Sequence, residues 1–194
     1  MIDIITKGGY VLVVIIACSL VACAVIIERC LFYRTADNAA RAFRDFLKGL
    51  SNDVGAFQGS ERSVFEKMWE AAAAIPSDER ESRQTAVDDA VRAEIPALER
   101  NLYVLTTAAT VAPLLGLLGT VLGMIKTFQA ASISGLGNPQ MLAEGISEAL
   151  YNTAGGLLVA IPCIVANNHF RNRVERLLHW TEGCVGEIVR RAGV

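Results

Sequence analysis

The residues best suited to chemistry lie in two apolar stretches, where hydroxyls, one carboxylate and two prolines recur at regular intervals. Small and hydroxyl residues fall at Thr106, Thr110, Pro113, Gly116, Thr120, Gly123 and Thr127. That spacing places them on one face of a helix. A second stretch repeats the design with Gly145, Glu148 or Ala149, Asn152 or Thr153, Gly156 and Ala160. Packing explains the glycines and alanines, because small faces let helices approach closely in lipid. It does not explain Thr120, Glu148, Asn152 and Thr153, which are costly facing lipid, and an ionisable group at that depth marks a functional site by default. A threonine hydroxyl can bond back to its own helix, so either threonine taken singly is a weak signal. Pro113 and Pro162 each remove a backbone donor and free the carbonyl four residues earlier, at Ala109 and Leu158. Freed carbonyls at membrane depth survive only against protein or water. Two helices lined in this way read as the wall of a polar path, with Glu148 as the only titrating group that the chain itself contributes.

The elements that must hold these residues follow from composition. Of the 194 residues, 53% are hydrophobic and the mean hydropathy is +0.39, yet 20% are charged. The apolar residues must therefore be segregated into blocks. Three uncharged stretches, Gly8 to Ile27, Leu102 to Ile125 and Ala149 to Ala166 with Ile146 and Ser147 before it, match the roughly 20 residues a helix needs to cross a bilayer. The chain divides into a short outer N-terminus over 1–7 and a first span over 8–28. A cytoplasmic helical loop over 29–101 precedes the second span, 102–126. An outer loop over 127–144, a third span over 145–167 and a cytoplasmic C-terminal helix over 168–194 follow. Leu20-Val21-Ala22-Cys23 resembles a lipoprotein cleavage site, but only Lys7 precedes it and the apolar run continues through Ile27. An uncleaved span fits better.

Orientation follows from the eighteen Lys and Arg residues. Only Lys7 precedes the first span and only Lys126 lies between the second and third; the other sixteen lie from Arg29 to Arg100 or from Arg171 to Arg191. The positive-inside rule places those two segments in the cytoplasm and the N-terminus outside, in what would be a bacterial inner membrane. Cys18, Cys23 and Cys163 fall within spans and Cys30 and Cys184 on the reducing side, so no disulfide framework is expected. The formal charge is −2, and no basic run interleaves with aromatics. Nucleic acid is not an expected partner. His169 and His179 read as solvated helix residues, and no cysteine or histidine cluster has metal-site spacing. With no Ser/His/Asp set and no nucleotide loop, neither an enzyme nor a bound cofactor is expected.

Outside the spans the apolar residues keep helical period. Phe43, Phe46, Leu47 and Leu50 form one stripe and Val64, Phe65, Met68 and Trp69 another, with a break between them over Gly49 to Gly59. After a second break at Ile75-Pro76-Ser77, Asp78 with Glu81 offers a capping-box start. From there Val87, Val91, Ile95, Leu98, Leu102 and Leu105 predict one helix from Glu79 to Ala131, about 80 Å long. Phe170, Val174, Leu177, Thr181, Val185 and Ile188 predict that the third span continues into a cytoplasmic helix. Asn138 and Pro139 mark that helix's start as cap and first residue. The fold class expected is an all-α integral membrane protein with three spans, the second and third extended as a helical bundle.

Two blocks are specific enough to resemble a family. They are Ala109-Thr110-Val111-Ala112-Pro113-Leu114-Leu115-Gly116-Leu117-Leu118-Gly119-Thr120-Val121-Leu122-Gly123-Met124 and Ile146-Ser147-Glu148-Ala149-Leu150-Tyr151-Asn152-Thr153-Ala154-Gly155-Gly156-Leu157-Leu158-Val159-Ala160-Ile161-Pro162. In order and spacing they strongly resemble the MotA/TolQ/ExbB proton-channel family, and ExbB and TolQ most closely. MotA-like stators are longer and have four spans. The resemblance implies a homo-oligomeric ring, typically of five copies, around a dimer of a single-span ExbD/TolR-like partner whose membrane aspartate carries the proton. A TonB-like or TolA-like protein would take up the work. It also implies that Thr120 and Thr153 line the proton path, that Glu148 is the family's span-three glutamate, and that Pro113 and Pro162 are its span prolines. Gly116, Gly119, Gly123 and Gly156 would serve helix packing. The chain departs from the pattern at Asn152, where alanine is usual, and at Gly155 and Gly156, where one position is commonly bulkier.

Two other readings use the same residues. A non-conducting helical scaffold accounts for the long stripes and small faces but not for the intramembrane polar groups. A motility-motor subunit of the same family is the other.

Overall fold

The computed structural model describes residues 2–49, 64–76, 79–134 and 139–191, and every element among them is helical. The elements are α1 (Ile2–Gly49), α2 (Val64–Ala73), α3 (Arg80–Glu99), α4 (Leu102–Ser134) and α5 (Pro139–Arg191). Among the described residues, three helical stretches are long and apolar enough to cross a membrane: Gly9–Asp45, Arg80–Ser132 and Leu142–Arg190. The expected all-α fold with three spans is therefore observed, and the second and third are long. The chain divides into two compact units, Met1–Ile27 with Asn101–His169, and Glu28–Arg100 with Phe170–Val194.

The first unit is built on α4 and α5, whose buried residues recur at intervals of three and four. On α4 they are Leu102, Leu105, Ala108, Ala112, Gly116, Gly119, Gly123 and Thr127; on α5 they are Ala149, Asn152, Gly156, Ala160 and Cys163. Contacts pair Gly145 with Thr127, Gly123 with Ala149, Gly119 with Asn152, and Gly156 with Ala112. As numbers rise on one helix they fall on the other, so the pair is antiparallel. Backbone meets backbone here: a β-carbon placed on Gly156 would stand 2.5 Å from the Ala112 carbonyl oxygen, and one on Gly116 would stand 2.9 Å from that of Asn152. The outward faces stay apolar, with Leu114, Leu117, Leu157, Leu158 and Ile161 exposed, as lipid-facing surfaces are. Pro113 and Pro162 lie inside unbroken helices.

The second unit is organised like a soluble domain. Its core gathers Phe43, Phe65, Met68, Trp69, Val87, Val91, Val185 and Ile188 from all its helices. Phe43 stacks on Phe65 at 5.3 Å between ring centres, and Trp180 meets Phe65 edge-on at 4.9 Å. The stripes predicted on α2 and on the end of α5 are thus packing faces. Two buried arginines tie the bundle by carbonyls: Arg83 donates to Val189 O (3.0 Å) and Ile75 O (2.6 Å), and Arg29 donates to Ala97 O (3.4 Å). The Tyr33 hydroxyl donates to Leu98 O (2.7 Å).

One expectation needs correction, and three others fall wholly or partly outside the described residues. The single helix expected from Glu79 to Ala131 is interrupted: α3 ends at Glu99, Arg100 turns extended (ψ 140), and Asn101 takes φ 63 before α4 begins. Asparagine tolerates the left-handed region and commonly terminates helices just past their end. The apolar period ran straight through this stop because packing constrains α3 and α4 separately. At the start of α3 the capping position is Glu79 without a side-chain cap; Asp78 lies outside the described residues, as does the break over Gly49 to Gly59 beyond Gly49. Pro139 is the first residue of α5 as expected, while Asn138 is not described.

The α4 and α5 contacts predict asymmetric tolerance of glycine substitution. Gly156→Leu should overpack the pair and cost about 1–3 kcal/mol or more. Gly183→Ala, where nothing lies within 4 Å of an added β-carbon, should be neutral or stabilise by about 0.5–1 kcal/mol through helix propensity. Thermal unfolding followed by circular dichroism in mild detergent checks both.

Candidate functional site

Each residue of a helix is rotated about 100° from the last. In an antiparallel pair of right-handed helices, the residues one position after facing residues therefore turn to the same side of the contact. Thr120 follows Gly119 and Thr153 follows Asn152, and Gly119 and Asn152 face each other. Both threonines thus flank one side of the α4 and α5 contact, each partly exposed. Thr153 lies level with Gly116, its Cα 3.1 Å from a β-carbon placed there. Thr120 is one turn further along α4, about 6 Å by helical rise.

Both hydroxyls are engaged with backbone. Thr120 Oγ1 donates to Leu117 O (2.7 Å), and Thr153 Oγ1 reaches across the pair to Gly116 O at 3.4 Å. The first bond stays within its own helix, while the second spans two. Each oxygen keeps lone pairs free to accept, so a hydroxyl can serve a carboxylic acid or a water on that side. Between the threonines lies Asn152, buried in the notch that Gly119 leaves. Its Nδ2 donates to Glu148 O (3.2 Å), and its Oδ1 has no partner. Thr106, Thr107 and Thr110 each bond back to the carbonyl four residues earlier, and Thr106 also meets Asn167 Oδ1 at 3.2 Å.

Glu148 lies elsewhere. It precedes the facing residue Ala149, as Lys126 precedes Thr127, so both turn to the side opposite the threonines. Lys126 Nζ sits 3.3 Å from Glu148 Oε1. The start of α1 packs on that same side: Gly155, which precedes Gly156, would place a β-carbon 3.1 Å from Leu12 Cδ1. Gly9, at φ 63, stands directly beside the Glu148 carboxylate. The structure therefore brings Thr120 and Thr153 together with Gly116, Gly119 and Asn152, and sets Glu148 apart with Lys126 and Gly9. Gly123 and Gly156 lie in the contact itself, whereas Pro162 is exposed and Pro113 partly so.

Sequence reasoning missed Gly9 and the pairing of Lys126. Lys126 served only as a topology marker, and its partner is 22 residues away, beyond any local pattern. Gly9 follows Gly8, and a glycine pair at the edge of a span was a readable sign of a break.

Comparison with known proteins fixes the family. The model of the MotA/TolQ/ExbB proton channel family matches residues 56–182. The chain is 33% identical over 183 residues to the Tol-Pal system protein TolQ of Haemophilus influenzae, covering 86% of this chain and 80% of that one. It is 35% identical over 189 residues to a Synechocystis protein named ExbB-like 3, covering 93% and 90%. It is 43% identical over 84 residues to the biopolymer transport protein ExbB of Aquifex aeolicus, covering 43% and 57%. With three apolar helices of spanning length and both motif blocks in register on α4 and α5, the chain is a multi-pass membrane protein that belongs to the MotA/TolQ/ExbB proton channel family.

Proposed function

We propose that this chain is the ring-forming subunit of an ExbB/TolQ-type motor that lets protons cross the inner membrane and turns their passage into work on the envelope. The observation that carries this is the placement of Thr120 and Thr153 on one side of the α4 and α5 contact, opposite the side that α1 covers. That side is free to face a central partner. The partner is a dimer of a single-span ExbD/TolR-like protein that supplies the titrating carboxylate, which the threonine face lacks. Five copies of this chain enclose it, and a TonB-like or TolA-like protein receives the movement. The names of the relatives, a Tol-Pal system protein and biopolymer transport proteins, support this choice over a motility motor.

The chemistry is transfer between a partner carboxyl and water along a hydroxyl-lined wall. When the carboxylate is ionised, water held by the threonine hydroxyls, or a hydroxyl that turns away from its backbone carbonyl, donates to it; when it is protonated, the hydroxyl lone pairs accept. The driving force is about 2.3 kcal/mol per charge for each 100 mV of membrane potential. That energy becomes work only if each protonation step is tied to a movement of the partner inside the ring. Orientation follows the charge distribution, with the N-terminus and the 127–144 loop outside and the C-terminus in the cytoplasm.

Replacing Thr120 or Thr153 by valine keeps the shape and removes the hydroxyl. Either change should abolish proton flux in vesicles holding the ring and its partner, while ring assembly stays normal; serine at either site should retain part of the flux. Normal flux in both valine variants would remove the threonines from the mechanism. Native mass spectrometry of the purified chain should show one discrete oligomer, and a stable monomer in mild detergent would contradict the ring. In single-cysteine variants of intact cells, a membrane-impermeant maleimide should label Ser134→Cys and spare Cys184; strong labelling of Cys184 would reverse the orientation.

A further inference from the structure

We infer that Glu148, Lys126 and Gly9 form a lock that fastens the start of α1 onto the α4 and α5 pair, and that Glu148 is a positioning residue and not a stage in proton transfer. The inference rests on the threonine-lined path proposed above and assigns the family glutamate a place outside it. Three elements converge on one carboxylate. Glu148 Oε1 lies 3.3 Å from Lys126 Nζ, so α4 and α5 are joined by charge at this level. Gly9 is the one glycine at positive φ among the described residues, and a β-carbon there would stand 2.6 Å from the same oxygen. The carboxylate thus fills the space that any side chain at position 9 would need, and the break in α1 is what admits it.

The side of the helix pair decides the function. Lys126 and Glu148 each precede a facing residue, whereas Thr120 and Thr153 each follow one, which puts the ion pair and the hydroxyls on opposite sides of a backbone contact too tight for a β-carbon at Gly116 or Gly156. At Gly116 and Gly156 backbone lies directly against backbone between those two sides. Leu12 and Ile15, one and two turns beyond Gly9, pack against Gly155 on the ion-pair side. The lock therefore closes the α1 contact at its end. The unit's other carboxylates, Asp3 and Glu144, both precede their spans, and Glu144 is exposed. With Glu148 committed to Lys126, the proton's carboxyl must come entirely from the partner.

The test is a charge-exchange cycle on full-length rings, with and without the partner. Lys126→Met and Glu148→Gln should each lower the ring's thermal midpoint by about 2–4 °C. The double variant should fall no further than either alone, because both break the same pair. The exchange Lys126→Glu with Glu148→Lys should restore the midpoint and, with the partner present, the proton flux. A relay role gives the opposite pattern: Glu148→Gln and the exchange both abolish flux, while Lys126→Met leaves flux and midpoint at the wild-type values. That pattern, or losses in the double variant that sum those of the singles, overturns the lock. The midpoints need no flux, so they remain decisive even if the Thr→Val variants conduct normally.

Discussion

Gly116 and Gly156 let the backbones of α4 and α5 touch, and the placement of every polar group in the membrane unit follows from that contact. Helices in lipid gain little from burying apolar side chains, so they associate by close van der Waals approach. Approach this close fixes the register, since a shift of one residue would drive side chains into backbone at Ala112 or Asn152. Register then fixes sides. Hydroxyls one position after the facing residues and charges one position before them are separated without any further device. A single packing constraint thereby sorts one polar face from another.

The second unit obeys different physics. Its core is aromatic and aliphatic, and apolar burial contributes the main favourable term, as in water-soluble bundles. The buried charges there are held by backbone carbonyls: Arg83 meets the last turn of α5 and the turn after α2. The last carbonyls of a helix lack intrahelical donors and carry partial negative charge, which suits a guanidinium. Asp37 and Arg173 add an ion pair between α1 and α5 at 3.0 Å. Both α1 and α5 take part in both units, so each long helix follows lipid rules over one part and aqueous rules over the other.

Much of this was legible in the sequence, and the parts that were not share a cause. The spans, the stripe ending at Ile188 and the small faces around Gly116 and Gly156 are periodic, and periodicity survives without a partner being known. Asn101 was legible in principle but was overridden by an apolar pattern that continued across it. The side on which Glu148 lies was not legible, because it depends on the register between two helices. On α5 alone, Glu148 and Thr153 are five residues and so about 140° apart; only the meeting of Gly119 with Asn152 shows which side of the pair each one takes. The ion pair with Lys126 joins residues on different helices, and no pattern within either helix encodes it.

Asn152 has a consequence for how the protein enters the bilayer. Its amide is shielded by the notch at Gly119 and by its bond to the Glu148 carbonyl. Before α4 is beside it, that amide and the Glu148 carboxylate would meet hydrocarbon directly, at a cost that disfavours insertion of α5 by itself. Synthesis runs from the N-terminus, so α4 is already made when α5 emerges, and the two are linked by a connection short enough to keep them adjacent. The pair is thus suited to partition from the translocation machinery as one hairpin, with the polar side chains already covered at the moment lipid replaces water.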